Sequence, residues 1–201
     1  TPPHTSHEKL TAFFDLLPFF EASRKLRFSF GLGQNMYTPQ DISRRDPDPN
    51  DRPYAGWLYG AAGLVSEGED GLLESLEINL GMVGPASLAE DVQTTYHGWI
   101  NSPRPDGWSH QLRNEPGVVL FYERKQRVEK HNPNSWLQYD FTPHIGGALG
   151  NVFTYGALGA TLRLGDGLPR DYGPPRIRPS LPGSGFFESG PAPLAWYVFA
   201  G

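Results

Sequence analysis

Residues 137–145 read Leu-Gln-Tyr-Asp-Phe-Thr-Pro-His-Ile, and this stretch decides the fold. Leu137, Tyr139, Phe141 and Ile145 alternate with Gln138, Asp140, Thr142 and His144. A period of two sends successive side chains to opposite faces of a β-strand. One face is apolar and the other polar, so the strand separates two different environments. The pattern recurs on both sides. Leu26, Phe28, Phe30 and Leu32 alternate with Arg27, Ser29, Gly31 and Gly33. Leu76, Ile78, Leu80 and Met82 alternate with Ser75, Glu77, Asn79 and Gly81, and Leu158, Ala160, Leu162 and Leu164 with Gly159, Thr161 and Arg163. Less regular runs cover 54–64, 117–128 and 196–200.

These strands approach the roughly 9–11 residues that a tilted strand needs to cross a bilayer. Trp57, Tyr59, Trp136, Tyr139, Trp196 and Tyr197 lie near strand ends, where a membrane barrel carries an aromatic girdle; the alternative reading of the same residues is ordinary core. The expected fold is therefore all-β: an antiparallel transmembrane β-barrel with one short helix, residues 1–201 forming a single domain. A soluble β-sandwich would show the same alternation with its polar face in water.

Composition narrows the function. The chain has 201 residues, no cysteine and a net charge of −5. The first excludes nothing, the second removes disulfides, thiolate catalysis and cysteine zinc sites, and the third gives no footprint for nucleic acid. Aromatic residues make up 13% of the chain, which argues against disorder despite 24 glycines and 20 prolines. The glycines and prolines read as turns, loops and small lumen-facing positions.

One segment breaks the strand pattern. Ser87 precedes Glu90 by three residues, a capping-box spacing. Leu88, Val92 and Tyr96 follow at helical spacing, with Pro85 before and Gly98 after. The spacing predicts a helix over 86–97. Two long irregular stretches, 37–53 and 166–193, read as either functional or disordered loops. Leu10, Phe13, Phe14, Leu16 and Leu17 fit either a short amphipathic helix or a covering loop.

Chemistry-bearing motifs are few. There is no phosphate-binding glycine loop and no nucleophile elbow. Of six histidines, none pairs with another at zinc spacing on a helix. His97 stands out, one helical turn after Gln93. Its bland reading is a histidine favoured by the helix C-terminus.

Six runs in order, QNMYTPQDI (34–42), DRPYAGWLYG (51–60), GMVGPASLAEDVQ (81–93), GWSHQLRNEPG (107–117), HIGGALGNVFTYG (144–156) and GPPRIRPSLPGSGFF (173–187), resemble the outer-membrane lipid A deacylases of the LpxR type. The resemblance runs from about Arg27 to Gly201. It implies a bacterial outer-membrane barrel, monomeric when full length. It also implies hydrolysis of an ester-linked acyl group from lipid A of lipopolysaccharide. By the same resemblance His97 takes the role of general base, with Gln93 supporting it. Arg44, or its neighbour Arg45, takes the role of the basic residue that follows a Tyr-x-Pro turn, here Tyr37, Thr38 and Pro39. A divalent cation, with calcium expected, would assist, and its protein ligands are unassigned.

The family's Asn-Asp pair and Tyr-Thr-x-Gly motif have no counterpart in this sequence. By this resemblance the chain is expected to be an internal fragment, a partial barrel of about seven strands that lacks the first and last strands and is inactive alone. The chemistry is coherent nonetheless. Ester hydrolysis needs a base near neutrality, which suits imidazole, and positive charge or donors where the oxyanion develops. Two other readings compete: a non-enzymatic outer-membrane barrel serving as pore or scaffold, and a soluble binding module.

Overall fold

A computed structural model describes residues 24–130, 136–173 and 196–200. Among these, eight strands form one antiparallel sheet: β1 (Lys25–Tyr37), β2 (Ala55–Glu67), β3 (Leu72–Val83), β4 (Glu115–Gln126), β5 (Val128–Lys130), β6 (Gln138–Gly150), β7 (Tyr155–Asp166) and β8 (Trp196–Ala200). The sheet order is β1-β2-β3-β4-β6-β7-β8, with β5 also paired to β6. Strands β4 and β5 keep one register against β6: Lys125 faces His144 and Val128 faces Phe141. The break between them lies beside Pro143, which has no N–H for the ladder. The sheet thus has seven positions across, as the alternation predicts. Strands β1 and β8 end the path and do not pair with each other among the described residues. The helical expectations for Leu10 to Leu17, and most of the loop from Asp166, lie outside the described residues.

Burial along the strands is inverted relative to a soluble protein. Phe30 and Leu158 are each 84% exposed, whereas Arg163 and Asn79 are fully buried. On β6, Asp140, Thr142 and His144 are buried while Tyr139, Phe141 and Ile145 are exposed. Alternation puts the apolar set on the convex face and the polar set on the concave one. That is the distribution of a barrel wall, apolar toward lipid and polar toward a lumen.

The concave face curls far enough for one segment to span it. After β7 the chain turns back, and Asp171 pairs with Arg163 of β7. The next residue, Tyr172, donates its hydroxyl to Glu67 of β2 at 3.3 Å and packs on Val65 and Leu73. Three strands lie between β2 and β7, which would set them about 19 Å apart on a flat sheet, yet the consecutive residues Asp171 and Tyr172 reach both. Arg163 also makes a forked contact to Asp140, with Nε at 2.9 Å and 3.1 Å from its two oxygens. Two carbonyls, of Pro169 and Asp171, also accept from its Nη2.

The aromatic girdle is half as expected. Trp136, Tyr139 and Trp196 are exposed near one rim, with the two indoles 6.4 Å apart. Trp57 and Tyr59 instead point inward. They stack at 4.2 Å and form the main apolar cluster with Val119, Phe121 and Ala148. Tyr197 also points inward, its ring 5.3 Å from the Arg163 guanidinium. Parity decides this: Trp57, Tyr59 and Tyr197 occupy the lumen-facing positions of their strands, whatever their chemical preference.

Candidate active site

The loops at the rim opposite Trp136 and Trp196 carry the candidate residues. Strand β3 ends at Val83, and Gly84 turns the chain with φ of 90°. The Arg113 carbonyl closes against Gly84 where a side chain would stand. Pro85–Ser87 make a 3-10 turn, Leu88 adopts a left-handed conformation, and helix α1 follows over Ala89–Trp99. The helix is where the spacing puts it, shifted by two to three residues. The Ser87 cap is not formed. Leu88 occupies the cap position without a side-chain hydrogen bond. Ser87 is instead turned into the joint with β2, its hydroxyl buried and without a hydrogen-bond partner among the described residues. Glu90, the other half of the expected capping box, accepts from Gln111 at 3.3 Å. Gly98 does not stop the helix, which ends at Trp99 before left-handed Asn101.

The helix lies against the outer side of the wall. A side chain at Gly56 would overlap Ser87 and Ala89, so only glycine lets α1 approach β2 this closely. Gly56 alternates with lumen-facing Trp57, so it faces outward. Gln34 shares the outward row of β1 with Phe30 and Leu32, and donates to the Ser87 carbonyl at 2.6 Å. Met36, two residues on, lines a cavity of about 580 Å³ together with Asp91, Val92, Gln93, Thr95, Tyr96, His97 and Trp99. The cavity therefore opens on the lipid-facing side, not into the lumen. The helix adds to the apolar surface there: Val92, Tyr96 and Trp99 are 44%, 55% and 78% exposed.

Two polar side chains in the cavity are held by the segment after the helix. His97 Nδ1 is 2.6 Å from the Pro103 carbonyl oxygen. A carbonyl only accepts, so Nδ1 carries the proton and the neutral ring keeps its lone pair on Nε2. Gln93, one turn earlier, accepts from the Trp108 indole at 2.8 Å. Trp108 is buried and packs on Tyr54 at 4.8 Å between ring centroids. Tyr54 in turn donates to the Ile42 carbonyl at 2.8 Å, which ties down the 38–53 loop. Burial raises the pKa of the Tyr54 phenol, so it remains a donor.

Arg44 and Arg45 lie in that loop but do not line the cavity. Arg44 is half-exposed and 3.4 Å from Asp48. Its carbonyl packs at Gly107, next to Trp108. The loop is shaped by three carboxylates, of which Asp48 accepts from the Asn50 amide at 2.9 Å. Asp41 accepts from the Ser43 hydroxyl and amide, and Asp51 from the amides of Gln40 and Arg52. These hydrogen bonds hold both carboxyls below the usual carboxylate range.

The described residues show no cluster of carboxylates and histidines for a cation. Asp91 is the one carboxylate lining the cavity, and no three acidic or histidine side chains converge anywhere among the described residues. Calcium takes six to eight oxygens, so no reaction step is routed through a cation here. Trp108 is the residue that sequence reasoning missed. It stands inside a quoted motif, but nothing local marks an indole as the partner of a glutamine fifteen positions earlier.

The family model described as outer membrane protein LpxR matches residues 2–201. The chain belongs to the LpxR family. Among solved structures, LpxR from Salmonella typhimurium is similar with a TM-score of 0.64 and 22% identity, over 72% of this chain and 48% of that one. The chain thus spans about half the length of that protein, and at this identity the likeness shows the fold. Comparison with curated proteins gave no match. Family membership, the β-barrel wall and the inverted burial together make this an outer-membrane protein of the LpxR type.

Proposed function

We propose that the protein is a lipid A acyl-ester hydrolase in which His97 is the general base. The observation that carries this reading is the His97 ring. Its Nδ1 proton is committed to Pro103, and its Nε2 lone pair belongs to a cavity that opens toward lipid. A membrane-anchored ester can reach such a cavity sideways without leaving the bilayer.

In the proposed reaction Nε2 takes a proton from water as the water oxygen bonds to the acyl carbon. The carbonyl π pair moves to its oxygen. Collapse of this intermediate breaks the bond to the alkoxy oxygen, which leaves with the proton that His97 returns. The products are a free fatty acid and an alcohol on the remaining lipid. Pro103 supplies orientation and stabilises the transient imidazolium without adding a full negative charge, unlike a carboxylate partner. Val92, Tyr96 and Trp99 offer apolar surface to acyl chains. Arg44 and Arg45 stand in the neighbouring loop as cations for the anionic groups of the substrate, lipid A phosphates included.

The test uses full-length protein assayed on purified lipid A by mass spectrometry. His97→Ala should insert and resist heat like the parent, while deacylation falls roughly 10²–10⁴-fold. Parental activity in that variant would overturn the assignment. Assay after EDTA treatment, with calcium then restored, decides whether a divalent cation takes part.

A further inference from the structure

The concave face of the wall is crossed twice, once near each rim. We propose that the two crossings are seals in series that close the lumen, so that the barrel is not a pore and passes neither ions nor small solutes. The proposal stands independently of the ester-hydrolase reading.

The first crossing is polar and lies toward the Trp136 and Trp196 rim. Residues 167–173 turn back from β7 as a strap. At the near wall the Leu168 amide donates to Gln138 at 3.0 Å, and Asp171 pairs with Arg163. At the far wall Tyr172 reaches Glu67. Arg127, at the junction of β4 and β5, holds the middle. Its guanidinium stands 5.1 Å from the centre of the Tyr172 ring, donates to the Asp171 carbonyl at 3.2 Å and pairs with Glu129 at 2.7 Å. Asp171 and Tyr172 are both buried. A loop lying in an open aqueous channel would keep its polar groups in water. Here they are desolvated and paired with one another, which is the packing of a plug.

The second crossing is apolar and lies toward the helix rim. Phe153, in the turn between β6 and β7, packs on Trp57 of β2 at 5.5 Å between ring centroids and on Tyr37 of β1 at 6.4 Å. Strands β1 and β2 thus meet that turn, although β3 and β4 lie between them in the sheet. Trp57, Val119 and Phe121 are buried on the concave side, where a channel would wet them. An apolar constriction of this kind stops ions, because it dewets and strips their hydration. Thr142 of β6 sits between the two layers. Its ladder partner Thr161 lies against Gly173 of the strap, and Ala148, further along β6, belongs to the aromatic layer. Thr142 is buried, and its hydroxyl has no hydrogen-bond partner among the described residues.

Conductance of the full-length protein in planar lipid bilayers tests the seals. The parent should be silent. Tyr172→Ala removes the far anchor of the strap, and Phe153→Ala removes the bridge of the aromatic layer. Each variant alone should stay silent, because the other seal holds, and the two together should conduct. A second measurement uses the strap alone. The chain has no cysteine, so Thr142→Cys introduces a single thiol between the layers. A charged, membrane-impermeant thiol reagent on both sides of a vesicle membrane should leave it unmodified. Adding Tyr172→Ala should quicken modification by roughly 10²-fold, the shift in local opening that loss of a buried aromatic anchor brings. Heat-modifiable mobility checks that each variant is folded. Conductance by the parent or by either single variant overturns the proposal, as does silence of the folded double variant. So does rapid labelling of Thr142→Cys with both seals intact, or labelling that Tyr172→Ala leaves equally slow.

Discussion

The two faces of the barrel wall treat polar groups in opposite ways. On the concave face Arg163 is fully buried, and all three of its guanidinium nitrogens are engaged, by Asp140, Asp171 and two carbonyls. On the convex face, at the rim, Gln93 and His97 each have one atom tied down and one left over. Complete pairing is what a buried charge needs to avoid its desolvation cost. Incomplete pairing, directed into a cavity, leaves chemistry to be done. The contrast separates a structural cluster from a candidate site without reference to residue type, since both contain strong donors.

The largest break in the contrast comes from the concave side. Arg163→Leu strands Asp140 and Asp171 without their cation and should destabilise the barrel by about 3–5 kcal/mol. The urea midpoint of refolded protein measures it. The fraction still folded should turn over lipid A at the parental kcat, and a matching fall in kcat would erase the distinction between the two faces.

A smaller effect tests the wall itself. Phe30 and Ser29 are neighbours on β1, one facing lipid and the other the lumen. Phe30→Arg should cost about 2–4 kcal/mol near the bilayer midplane, and Ser29→Arg much less. Equal costs in bilayer refolding titrations would show that the apolar face does not meet lipid.

The smallest effect sharpens the account of the rim. The Asp41 and Asp51 carboxyls titrate below their unfolded value of about 4. Their contribution to loop order is therefore present above that pH and is lost as pH falls through their lower folded values. Hydrogen exchange at the Gln40, Ser43 and Arg52 amides should stay slow at pH 5 and quicken only below about pH 4. Fast exchange already at pH 6 would mean that these carboxylates do not organise the loop.

Much of this was legible in the chain. Period-two alternation on residues 26–32, 76–82, 137–145 and 158–164 states both the strands and the side on which each residue falls, because backbone pleating is a local property. The helix was legible for the same reason, and so was His97 as one turn beyond Gln93. What failed was local too, but underdetermined. The Ser87 spacing suits a cap, yet Gly56 draws that serine into the joint with β2, and Leu88 takes its place. Trp57 and Tyr59 suit a girdle, yet register turns them into the lumen. A side chain's preference amounts to about a kilocalorie, whereas strand register moves a whole face at once.

The sequence by itself determined a wall with an apolar and a polar side, and one helix carrying a histidine. Only the tertiary structure decided that the helix packs on the lipid side of that wall, and that Trp108 and Pro103 meet Gln93 and His97. Those partners lie 6 and 15 residues beyond the side chains they hold. Such contacts depend on how the returning loop packs against Tyr54 and β2. No local periodicity encodes them, because they are made by groups that the chain brings together only after it has folded.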